Sequence, residues 1–84
     1  MASSAQATVT TTAAVIVPSS PFDQTVLLHS ATGIIYIGDA SVTSSNGYRL
    51  DNGDKIVLPV GDHEALYAVT SSGTATLYIY INVN

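Results

Sequence analysis

From Thr25 onward the chain repeats one cadence: a short run of β-branched or aromatic residues, then a glycine-bearing turn. The runs are Thr25–His29, Ile34–Ile37, Tyr48–Leu50, Lys55–Val60, Ala65–Val69 and Thr74–Val83. Between them stand Ala31-Thr32-Gly33, Gly38-Asp39, Asn46-Gly47, Asn52-Gly53, Gly61-Asp62 and Ser72-Gly73. In the last run Ala75, Leu77, Ile79, Ile81 and Val83 alternate with Thr76, Tyr78, Tyr80 and Asn82, the period of a strand with one face in a core and both tyrosines on the other. Ile34–Ile37 is apolar on both faces, which predicts a strand with neighbours on either side. Asn46-Gly47 and Asn52-Gly53 suit two-residue type I′ turns, so Tyr48–Leu50 is expected to pair on both sides, with Lys55–Val60 following it. Pro59 places that next run at a sheet edge or a strand end.

The segment before Pro21 has another texture, rich in Ala, Ser and Thr, with no glycine and no charged side chain before Asp23. Met1–Gln6 offers little to bury and reads as a mobile tail. Thr8, Val9, Thr10, Thr11 and Thr12 form a β-branched run, and Val15, Ile16 and Val17 follow two alanines, so Thr8–Val17 reads as a strand ended by Pro18 and Pro21. It is either an edge strand of the chain's own sheet or an arm that adds to a neighbour's sheet. Helical periodicity is nowhere sustained. The expected fold is all-β: a small antiparallel β-sandwich or partly closed β-barrel of about seven strands, Greek-key or jelly-roll-like, with residues 1–21 as an N-terminal arm and 22–84 as the β-domain.

Size and charge narrow the functions. A chain of 84 residues removes only roughly 60 per cent of its unfolded surface from water, while ordering costs about 1.5 kcal/mol per residue. Without cysteine, disulfides and thiolate metal sites offer no support, which leaves association. Net charge is −4, and Arg49 and Lys55 are the only strong cations, so neither nucleic acid nor an anionic membrane surface is an expected partner. Met1–Gln6 lacks the basic residues of a secretory signal, Ala13–Val17 is too short for its apolar region, and no segment approaches the ~20 apolar residues of a spanning helix. The chain reads as soluble in the cell that makes it.

Candidate chemistry is sparse, and the reading is of a protein that is not an enzyme. Asp51-Asn52-Gly53-Asp54 has the oxygen donors of part of a calcium loop but not its bidentate Glu, and a turn accounts for it. Asp62-His63-Glu64 points its side chains in different directions, and His29 sits in an apolar run, so no metal or other cofactor is expected. No Gly-x-Ser-x-Gly elbow accompanies either histidine, and Asp39, Asp51, Asp54, Asp62 and Glu64 all lie in turn-like segments. The enriched feature is five tyrosines, Tyr36, Tyr48, Tyr67, Tyr78 and Tyr80, residues favoured at protein interfaces.

The series Val26-Leu27-Leu28, Ile35-Tyr36-Ile37-Gly38, Val42-Thr43, Gly47-Tyr48-Arg49-Leu50, Gly53-Asp54, Leu58-Pro59, Leu66-Tyr67-Ala68-Val69 and Ser72-Gly73-Thr74-Ala75 resembles small virion proteins of tailed bacteriophages, from Val26 to Ile81. The resemblance implies a capsid decoration or cementing protein on the outer surface of a virion assembled in the bacterial cytoplasm. Its partners would be the major capsid protein and copies of itself, as a homotrimer. Contact is then expected at Thr8, Val9, Thr10, Thr11, Thr12, Val15, Ile16, Val17, Tyr78 and Tyr80. A receptor- or glycan-binding module of a phage tail fibre or spike, using the exposed tyrosines, is the second expectation.

Overall fold

A computed structural model describes residues 2–83. Among them are eight strands: β1 (Ala2–Val9), β2 (Ala14–Val17), β3 (Gln24–Ser30), β4 (Ile35–Gly38), β5 (Tyr48–Leu50), β6 (Lys55–Val60), β7 (Leu66–Val69) and β8 (Ala75–Val83). They form two antiparallel sheets, ordered β1-β8-β3-β6 and β2-β7-β4-β5. Only β4 and β5 are consecutive and share a sheet; every other connection crosses between sheets, which is the jelly-roll form of a sandwich. It is not a closed barrel.

The core lies between the sheets. Val26, Leu28, Leu77 and Ile79 from one meet Val17, Ile35, Ile37, Leu50 and Ala68 from the other. The alternation expected in β8 is present, with Ala75, Leu77 and Ile79 buried and Tyr78 and Tyr80 outside. β4 lies between β7 and β5, as its two apolar faces suggest.

The N-terminal segment departs from the expected tail and strand. Ala2–Gln6, read as mobile, belongs to β1 and pairs residue for residue with β8, from Ala2 opposite Asn82 to Gln6 opposite Tyr78; Met1 lies outside the described residues. Small side chains suffice there because the ladder completes the backbone hydrogen bonds along one side of β8. The expected single strand over Thr8–Val17 is two strands in different sheets. Between them the Thr10 hydroxyl donates to the Thr12 carbonyl and accepts from the Thr12 N–H, both at 3.3 Å, a local pattern that competes with a ladder. The Thr10 carbonyl accepts from the Thr70 N–H at 2.8 Å, fastening the crossover just beyond β7.

Neither Asn-Gly pair makes a type I′ hairpin. Positive φ among the described residues occurs at Gly33, Gly53, Gly73 and His63, so Asn46, Gly47 and Asn52 lack it. Gly53 (φ 86°) is the third residue of a turn closed by the Asp54 N–H on the Asp51 carbonyl at 2.9 Å, and that turn carries the chain from one sheet to the other. β5 therefore pairs with β4 alone, and β6 pairs with β3. Gly47 has a packing reason instead: a Cβ there would lie 2.7 Å from Tyr36 Cβ and 2.8 Å from Val42 Cγ2. The loop after β4 folds back so that Val42, only 5% exposed, is covered.

Two turns share one device. The buried Ser30 hydroxyl donates to the Gly33 carbonyl at 2.8 Å, and the buried Thr70 hydroxyl donates to the Gly73 carbonyl at 2.9 Å, each glycine having positive φ. They start the connections β3 to β4 and β7 to β8.

Candidate assembly surface

The side chains with reactive potential are dispersed. His63, in a left-handed backbone conformation, approaches Asp62 at 3.1 Å in an exposed loop, and its N–H donates to the Ser20 carbonyl. His29 lies on an outer sheet face, edge-on to Tyr78 with ring centroids 5.6 Å apart. Asp54 accepts from the Asp51 N–H at 3.0 Å, so the acidic cluster closes its own turn. Arg49 pairs with exposed Asp51 at 2.5 Å, and that hydrogen bond, with the charge behind it, raises the guanidinium's pKa. The Asp39 carboxyl is held below its ordinary value chiefly by the backbone N–H of Ser41, then by its hydroxyl. Among the described residues no three His, Cys, Asp or Glu side chains gather as metal ligands.

What the fold does assemble is a surface. Register carries the outward residues across the sheet β1-β8-β3-β6: Gln6, Tyr78, His29 and Lys55 in one row, and Ser4, Tyr80, Leu27 and Val57 in the next. Tyr78, Tyr80 and Val57 are 42%, 48% and 65% exposed. Between β1, β8 and β3 lies an open groove of about 500 Å³, too shallow to enclose a ligand. None of the six carboxylates belongs to the four strands that form this face.

The sheet edges differ as sharply. β6 carries Lys55 and Pro59, β5 has three residues, and β2 has a register irregularity between Val15 and Val17, all features that discourage further pairing. β1 has eight residues with no charge, no proline and no bulge, and no described strand pairs with its outer edge.

The residues expected to make contacts are spread over this architecture. Tyr78 and Tyr80 stand side by side on the open face, Thr8 lies on β1, and Thr10, Thr11 and Thr12 form the crossover. Val9, Ile16 and Val17 are core residues, so their side chains face inward, whereas Val15 is 51% exposed on β2. Leu27, His29 and Val57 join the tyrosines through cross-strand register, which no single run of sequence displays. Ser4 and Gln6 go unnoticed in the sequence for want of any side-chain signal.

No family model and no curated protein matches the chain. Among solved structures it matches a chain described under "Bacillus endospore appendages form a novel family of disulfide-linked pili", at 18% identity and a TM-score of 0.62, covering 96% of this chain and 82% of that one. At that identity the likeness is one of fold. That likeness, to a chain described as a pilus protein, corrects the expectation of a phage capsid decoration protein, and of a tail-fibre module beside it.

Proposed function

We propose that this chain is a pilus-type structural subunit that assembles with copies of itself. The observation that carries the reading is β1: a long, uncharged edge strand in a sandwich whose other three edges are blunted. A second β1 is the neighbour such an edge accepts, giving an antiparallel pair that joins two four-stranded sheets into one. The fold neighbour is described as a disulfide-linked pilus; these 84 residues contain no cysteine, so no disulfide forms between them. The −4 charge opposes association, and salt screening of that repulsion promotes it.

Proline scanning of β1 tests this. Successive N–H groups of an edge strand point to opposite sides, so of Ser4→Pro and Ala5→Pro one removes a donor to β8 and the other a donor to the neighbouring copy. Scattering and electron microscopy of the parent should show concentration-dependent assembly, and one variant should fold like the parent yet stop short of the parent's assembly. A parent that remains monomeric at millimolar concentration, or assembly unchanged in both variants, refutes the reading.

A further inference from the structure

We infer that the outer face of the sheet β1-β8-β3-β6 is a second self-contact, the face on which one pair of copies stacks against another. The inference rests on the assembly reading above. A β1-to-β1 contact is isologous and closes at two copies, so growth requires another surface. The blunted edges offer no second ladder. The face around Tyr78, Tyr80, Leu27 and Val57 remains.

Three observations favour a copy of this chain as its occupant. The first is size. The molecule measures 34 × 23 × 16 Å, its short dimension spanning two sheets about 10 Å apart, so the broad face presents about 800 Å² per partner, the extent of a standard stable interface. The second is charge. A surface destined to meet itself must not repel itself, and the four strands that form this one carry no carboxylate, with Lys55 at the β6 border their one permanently charged side chain. The third is contrast with the opposite sheet, whose outer side is partly occupied by this chain's own loop through Val42 and Gly47 beside Tyr36. An antiparallel β1 pair puts both copies' open faces on the same side of one eight-stranded sheet, so in a staggered stack the two faces of one pair meet two different pairs and growth continues. Tyrosines supply broad contact at little entropic cost because they have few rotatable bonds.

Sedimentation velocity of the double variant Val57→Glu/Tyr80→Glu is the test. Both positions are exposed, and circular dichroism checks that the fold is kept. The parent should grow past two copies, while the variant should stop at twice the 8.7 kDa of one chain. A variant-free measurement runs beside it: in the assembled parent, nitration of Tyr78 and Tyr80 should fall at least five-fold relative to Tyr48, which is 61% exposed on the other sheet. Assemblies of unchanged length in the variant, or nitration of all three tyrosines alike, overturn the stacking face alone. A parent that never associates overturns the assembly reading and the face with it.

Discussion

Leu27 and Leu28 are identical neighbours in the sequence, and the fold sends them to opposite sides of β3. Leu28 is fully buried, opposite Ile56 on β6 and Ile79 on β8, while Leu27 is half-buried beside Tyr80 and Val57. Leu28→Ala removes three buried carbons and leaves a cavity the closely packed sheets only partly close, a cost of about 3–4 kcal/mol. Leu27→Ala loses part of one side chain's burial and leaves no enclosed void, about 1 kcal/mol. A domain of this length has a total stability of about 4–12 kcal/mol, so the first change takes a large share of it. Urea unfolding followed by far-ultraviolet circular dichroism, at low micromolar protein to avoid association, is the assay. With a slope of about 1 kcal/mol/M for so small a chain, Leu28→Ala should lower the midpoint by about 3 M and Leu27→Ala by about 1 M. Equal losses, or a larger loss at Leu27, would mean that β3 sits one residue out of register and presents the opposite face to the core.

Gly47→Ala should destabilise by about 2 kcal/mol, because its Cβ meets Tyr36 and Val42; calorimetry should find part of that restored by Val42→Ala, which relieves one of the two clashes. Ser30→Ala and Thr70→Val each leave a glycine carbonyl short of its buried hydroxyl donor, costing about 1–2 kcal/mol by chemical denaturation. For Asp39 the folded carboxyl is harder to protonate than the unfolded one, so its contribution to stability is present above the ordinary value of about 3.9 and is lost as pH falls through the lower folded value. Carbon-detected NMR titration should place its midpoint below the ordinary value, and Ser41→Ala should move it upward by removing the hydroxyl donor.

The β class, most strand positions and the two faces of β8 were legible because period-two alternation and glycine-bearing turns are local properties of the chain. Pro59 announced an edge for the same reason, since its lack of a donor does not depend on its surroundings. The errors share a cause as well. Asn46-Gly47 and Asn52-Gly53 have the composition of hairpin turns, yet the second carries the chain between sheets and the first closes a loop under tertiary packing. Ala2–Gln6 has no side chain to announce a strand, and becomes one because β8 offers it a ladder.

The sequence by itself determined an all-β chain of alternating strands, low in charge and without cysteine, because each of these follows from residue identity and near-neighbour spacing. Which strand lies beside which was decided only in three dimensions. That pairing left β1 at an open edge, gathered Tyr78, Tyr80, Leu27 and Val57 onto one face, and sent adjacent leucines to opposite sides. The physical reason is that ladder hydrogen bonds and sheet-to-sheet packing join residues far apart in the chain, and their choice depends on how the whole core closes.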